Sequence, residues 1–169
     1  MIENLTPEEA QRVLMALLRI HDDWVAEAES IAASQREMFD AVEIAESLVA
    51  EVLSLDIQDV NRRSADPGGY IAPDEAAWQL CDELVRPWQL EWDRRLKWGR
   101  HREASQILQG VLLGLHRLNA VDHDVLNWCS DYPRETAKSW WQRVRHANPD
   151  ETLPTTVREQ LDEWSNWFN

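Results

Sequence analysis

The sequence predicts an all-α protein of eight or nine short helices packed as antiparallel hairpins, in an irregular bundle or an α-α superhelical, solenoid-like array. Three observations lead there. Apolar residues recur at helical spacing in one segment after another. Capping residues open those segments. No stretch has the strict alternation of a half-buried strand. Connections of about two to four residues make consecutive helices antiparallel neighbours. There is no internal repeat of fixed period, which favours an irregular array over a regular solenoid.

The elements follow in order. Thr6-Pro7-Glu8-Glu9 supplies a capping hydroxyl, proline at the first helical position and a glutamate placed to complete a capping box. Ala10, Val13, Leu14, Leu17 and Leu18 then share one face. His21-Asp22-Asp23 breaks the pattern, and a second helix is expected from Trp24 to about Ala33. Ser34 with Glu37 repeats the capping signal and is expected to open a longer helix to about Leu53, with Asp40, Glu43 and Glu51 on its polar side. From Asp56 to Pro73 the pattern lapses around Ser64-Ala-Asp-Pro-Gly-Gly-Tyr70, which reads as a loop. Pro73 opens the next helix, Pro87 is expected to interrupt it, and Gly99 to stop its continuation. A strong helix over His101–Asn119 presents Ala104, Ile107, Leu108, Val111, Leu115 and Leu118, with further helices at about 122–130, 133–146 and 155–168. Gly110 and Gly114 lie one turn apart on that strong helix, where glycine costs up to about 1 kcal/mol. A close approach to another helix would offset that cost.

With 169 residues, 44% of them hydrophobic, the chain is long enough to bury one core without disulfides or metal. One domain over 1–169 is expected, divisible into an acidic helical region over 1–55, a loop over 56–73 and a tryptophan-rich helical region over 74–169. No apolar run has membrane-spanning length, and Met1-Ile2-Glu3-Asn4 lacks the features of a signal peptide, so a cytoplasmic location is expected. Cys81 and Cys129 are far apart in sequence and read as buried free thiols.

The net charge of −14 disfavours nucleic-acid binding, which depends on Lys and Arg meeting phosphates. A basic protein partner is easier to accommodate. The acidity is uneven, since residues 1–60 hold 14 acidic and 3 basic side chains whereas 61–169 hold 17 and 14.

The stretch Leu5-Thr-Pro-Glu-Glu-Ala-Gln-Arg-Val-Leu-Met-Ala-Leu-Leu18 with His21-Asp-Asp-Trp24 resembles the helical-hairpin repeats that accompany SWIM zinc fingers in bacterial proteins. Gly99-Arg-His-Arg-Glu-Ala-Ser-Gln-Ile-Leu-Gln109 is similar to a hairpin turn of that type. The zinc motif itself is absent. The resemblance implies a helical scaffold for interactions and carries over no catalytic or metal-binding residue.

Ten tryptophans stand out. Most are expected to fill gaps between short helices, but so many are hard to hide completely, and an exposed tryptophan suits an interface hot spot. Trp140 and Trp141 point about 100° apart on a helix, so one of the pair can face outward, and Trp141 or Trp167 is expected to be partly exposed. Arg94-Arg95-Leu-Lys97-Trp-Gly-Arg100-His101-Arg102 is the one concentrated basic patch and is expected to pair with the acidic N-terminal third, within the chain or across a dimer. The residues expected to carry interactions are Asp40, Glu43, Glu51, Arg94, Arg95, Arg100, Arg102, Trp141 and Trp167.

No catalytic residue, cofactor or resident metal is expected, because no phosphate loop, nucleophile elbow or Cys/His dyad is present. The function predicted is a non-catalytic protein interaction module: an adaptor, accessory subunit or inhibitor of a basic partner. A second copy of the chain is an alternative partner, with neither nucleic acid nor membrane involved. The competing reading is an all-α nucleotide hydrolase holding Mg²⁺ through helix carboxylate pairs such as Glu43 and Glu46. His116, Asp122, His123 and Asp124 form a lesser metal candidate, with Asp122 also placed to cap a helix.

Overall fold

The computed structural model describes residues 6–21, 23–36, 39–65, 69–148 and 152–167. The protein is all-α: nine α-helices, one 3₁₀ helix and no strand lie among the described residues. The chain forms two compact units, Met1–Met38 and Phe39–Asn169.

The first unit holds α1 (Pro7–Ile20) and α2 (Asp23–Arg36). The capping box at Thr6 forms as the sequence indicates. The Glu9 amide donates to Thr6 Oγ1 at 3.3 Å, and the Thr6 amide to Glu9 Oε2 at 2.9 Å. At the junction the His21 ring stacks on Trp24 with centroids 4.3 Å apart. Val13, Leu14 and Leu17 of α1 are exposed, as is Trp24 of α2.

The second unit contains α3 (Ala41–Leu53), α4 (Ile57–Ser64), α5 (Pro73–Lys97), α6 (His101–Asn119), α7 (Asp124–Trp128), α8 (Tyr132–Ala147), α9 (Thr155–Gln160) and a 3₁₀ helix, Asp162–Trp167. Several boundaries differ from those the sequence suggests, and the helix expected at about 155–168 divides into α9 and the 3₁₀ helix. Ser34 lies inside α2, and the long helix expected from there begins at Ala41 instead. Asp40 takes the capping role, with Oδ1 accepting from the amides of Val42 at 2.6 Å and Glu43 at 3.4 Å. Glu37, the other half of the expected box, falls outside the described residues. The second difference lies in the stretch read as a loop, which carries α4. Asp56 and Asp59 cap it reciprocally, each amide bonded to the other carboxylate at 3.0 Å. Val52, Val60 and Ala76 share one buried core, so the core runs straight through 56–73.

The third difference is at Pro87, which does not interrupt α5. Proline removes one helical hydrogen bond and crowds the carbonyl four residues back. Here both Pro87 and Glu83 are exposed, so water can solvate the freed carbonyl. Gly99 does end the helix, with φ of +70°. The Arg100 amide donates to the Arg95 carbonyl at 2.8 Å and the Gly99 amide to that of Leu96 at 2.9 Å, which is a Schellman motif.

At the centre lies α6, buried on nearly every side and packed against α3, α5, α8 and α9. Its middle, from Gly110 to Leu115, is buried without a break, while Gln106, Gln109, His116 and Arg117 are partly exposed. Its most extensive contact is with α3, whose Ala41, Ile44, Ala45, Leu48 and Val52 face it at helical spacing. Gly110 and Gly114 permit the approach. A Cβ on Gly110 would lie 2.6 Å from Ile44 Cβ and 2.8 Å from the Ala41 carbonyl oxygen. On Gly114 it would meet the Leu48 Cδ2 methyl at 3.0 Å and the Ala45 carbonyl at 3.3 Å.

The two glycines therefore respond differently to alanine. Gly110→Ala meets backbone and a branched Cβ that cannot swing away, so it is expected to lower unfolding stability by about 1–3 kcal/mol despite the better helix former. Gly114→Ala meets a flexible methyl, and its gain in propensity of about 1 kcal/mol offsets the contact. Urea unfolding of both variants checks this, and equal losses at the two positions would contradict the packing described.

Candidate functional site

The basic patch at the α5–α6 corner is largely consumed by the fold. Arg95 is only 11% exposed and Glu103 8%. Arg95 pairs with Glu103 and, at 2.5 Å, with Glu91, while its guanidinium sits 4.7 Å from the centroid of the Phe39 ring. Arg94 also pairs with Glu91, and Arg100 reaches Glu103 at 3.5 Å. Arg94 and Arg100 both lie over the Trp98 ring, at 5.1 and 5.5 Å. The acids these arginines meet at this corner belong to α5 and α6. A glutamate one helical turn away and another just past the Gly99 stop are brought close by local geometry. Arg102 is exposed.

Burial would push the Glu91 carboxyl up, but hydrogen bonds and charge from Arg94 and Arg95 outweigh it and hold the carboxyl below its ordinary value. A depressed carboxylate stabilises the fold above its unfolded value, near 4.5, and that contribution is lost as pH falls through the lower folded value.

Of the two tryptophans singled out in the sequence, Trp167 is partly exposed and Trp141 is buried. Trp141 is 5% exposed, and Trp140 is buried beside it, 6.1 Å from Trp92. Both are hidden because α8 is covered on two sides. On one side Trp92 of α5 reaches Trp140. On the other, Arg134, Lys138 and Trp141 share a face, and Trp167 lies over it, 5.6 Å from the Arg134 guanidinium and 4.9 Å from the Lys138 ammonium. Trp167 is partly buried in that contact and stacks on Trp164.

The exposed tryptophans of the second unit include Trp78 and Trp128. These two wall one groove of about 510 Å³, lined by Asp74, Glu75, Trp78 and Gln79 from the start of α5 and by Trp128, Cys129, Ser130 and Asp131 from the turn between α7 and α8. Trp78 is 38% and Trp128 48% exposed. The Trp78 ring is braced edge-on against Tyr132, 5.0 Å away and fully buried, and Gln79 Nε2 donates to Glu75 Oε1 at 3.3 Å. Desolvation pushes the Tyr132 phenol well above its ordinary pKa, so this support stays neutral. Three carboxylates and two indoles line the groove, and no lysine or arginine does among the described residues. Such walls suit a cation, through ion pairing and the indole quadrupole. The sequence does carry the signal. Asp74 and Glu75 stand one helical turn before Trp78, and Asp131 three residues after Trp128, but the pairing across the fold is not visible in the chain order.

A second cavity, of about 470 Å³, lies between α5, α6 and α8 and is lined by Trp92, Leu96, Leu108 and Val144 together with His101, Ser105 and Asn148. None of its described lining residues is acidic. The other expected residues are scattered. Asp40 is the α3 cap, Glu51 accepts from Ser47 Oγ at 3.1 Å, and Glu43 and Glu46 lie exposed on α3. Asp122 does not cap α7. Its carboxylate instead accepts from Asn127 Nδ2 at 3.0 Å, while His116 packs edge-on against Trp164. Among the described residues no three His, Cys, Asp or Glu side chains converge as metal ligands, and no helix is long and apolar enough to cross a membrane.

No family model, curated protein or solved structure matches this chain significantly.

The charge network at the corner gives a pH test. In urea unfolding between pH 6 and pH 3, the wild-type chain is expected to lose stability more steeply below the ordinary glutamate value than Glu91→Gln, which has no proton to gain there. Parallel acid limbs would show that Glu91 is not held as described.

Proposed function

We propose that the chain is a non-catalytic docking module for a basic protein partner, and that the groove between the start of α5 and the α7–α8 turn receives an arginine or lysine side chain. The observation that carries this reading is the meeting of Trp78 and Trp128 with Asp74, Glu75 and Asp131 in one open groove. A guanidinium between two indole faces gains cation–π attraction of about 0.5–2 kcal/mol per ring, and neighbouring carboxylates add charge-assisted hydrogen bonds. The net charge of −14 extends the same preference over long range, raising the rate of encounter with a positively charged surface. The helical-hairpin resemblance to SWIM-associated regions points the same way, toward a scaffold for interactions.

A short arginine-rich peptide tests the reading. Calorimetric titration is expected to show binding that weakens as salt is raised. Trp78→Ala and Trp128→Ala should each weaken it about tenfold, which corresponds to about 1.4 kcal/mol. Trp98→Ala, whose ring already carries the chain's own arginines, should bind like wild type. Undiminished binding by both groove variants would remove the groove from the account.

A further inference from the structure

The cavity of about 470 Å³ lies between the last turns of α5, the start of α6 and the end of α8, at the other end of α5 from the groove. Each helix gives it one stripe of residues at helical spacing: Trp92 and Leu96 from α5, His101, Ala104, Ser105 and Leu108 from α6, and Val144, Ala147 and Asn148 where α8 stops. Protein interiors are close-packed and hold few voids larger than a water molecule. Elsewhere between these helices indoles fill the gaps, as Trp140 does beside Trp92. Here α6 and α8 present Ala104, Ser105 and Ala147, and the space stays open.

The lining divides into an apolar wall and a polar mouth. Trp92, Ala104, Leu108 and Val144 are buried and Leu96 is half-buried, whereas His101, Ala147 and Asn148 are exposed where the cavity meets solvent. Ser105 stands between the two zones. Its Oγ accepts from Gln109 Nε2 at 3.0 Å, which leaves the hydroxyl hydrogen to donate. An imidazole and a carboxamide each offer both a donor and an acceptor, so His101 and Asn148 extend the same capacity around the mouth. A volume within about 300–1,000 Å³, mostly apolar walls and a few placed polar groups are the features of a small-molecule site.

Charge narrows the class of ligand. No carboxylate, lysine or arginine is among the described lining residues. An ionised group entering this space would leave water without a countercharge in the wall, which is costly. An anion would also approach against the net charge of −14. We propose that the cavity is a binding site for an uncharged aromatic or branched aliphatic molecule carrying one hydroxyl or carbonyl group. The apolar body lies against Trp92, Leu96, Leu108 and Val144, and the polar group meets Ser105 at the mouth. The site is thus opposite in preference to the groove, whose carboxylates and indoles suit a cation, and it stands whether or not the groove docks a partner.

Three probes with the same rings and different heads test this on the full chain: 1-naphthalenemethanol, 1-naphthoate and 1-naphthylmethylammonium. The indole N–H resonances are followed during each titration. The alcohol is expected to shift Trp92 saturably at one molecule per chain and to raise the melting temperature, while naphthoate leaves Trp92 in place. The ammonium is expected to leave Trp92 unmoved as well, any shift it causes falling on Trp78 and Trp128. Ser105→Ala should weaken the alcohol about threefold to tenfold by removing one hydrogen bond. Ala147→Phe, at an exposed position where the fold tolerates a larger side chain, should close the mouth and abolish the Trp92 shift, with an unchanged helical circular dichroism spectrum showing that the chain is folded. A Trp92 signal that stays in place to the solubility limit of the alcohol, or shifts that spread over many indoles without saturating, would overturn the site. Equal shifts of Trp92 by the alcohol and either ion would overturn the preference for an uncharged ligand, and undiminished binding by folded Ala147→Phe would place the ligand elsewhere.

Discussion

The close approach of α3 to α6 is the constraint on which the second unit depends. At Gly110 the distance to Ile44 and to the Ala41 carbonyl leaves no room for a methyl group, so two helices meet nearly backbone to backbone. That contact draws Ile44, Ala45, Leu48 and Val52 onto α6 and lets α6 run through the interior with α5 and α8 packed on its remaining sides. The position of α5 follows, and with it the groove, because one wall of the groove is the first two turns of α5. Arg95 reinforces the arrangement from the opposite end of α5. Its pairs with Glu91 and Glu103 and its contact with Phe39 tie α5, the start of α6 and the residue leading into α3 to a single guanidinium.

Charge is used in two ways in this molecule. At the α5–α6 corner, acids and bases meet at short range, largely out of water, where removing one partner would strand the other. In the groove, carboxylates stand at the surface among indoles with no base in the lining. The first arrangement holds a corner of the fold, and the second leaves attraction available to something outside the chain. The same contrast separates the tryptophans. Trp92, Trp140, Trp141 and Trp164 fill the interior, whereas Trp78 and Trp128 are braced from below and open above.

Much of the fold is legible in the sequence because its signals are local. Thr6 with Glu9, Gly99, and the Gly110–Gly114 spacing each specify backbone geometry within one or two turns, and each is found as read. The features that escape the sequence depend on competition or on distance. Ser34 and Asp40 are both good caps, and packing of Ile44 and Ala45 on α6 decides between them. The cap of α4 uses aspartate where glutamate is the usual signal, so the helix hides in a Gly/Pro-rich stretch. Pro87 is tolerated because it faces water, which no local pattern reveals. The site is less legible still. Trp141 looks half free from its 100° offset and is buried in the fold. Trp78 and Trp128 come to line one groove only when α5 meets the α7–α8 turn.

The groove's role as the docking point is most directly tested by recording the ten indole N–H resonances during titration with the arginine-rich peptide. The account predicts that the signals of Trp78 and Trp128 move together and saturate at one peptide per chain, while those of Trp92, Trp140, Trp141 and Trp164 stay in place. Saturable shifts confined to Trp24 or Trp98, with Trp78 and Trp128 unmoved, would contradict it.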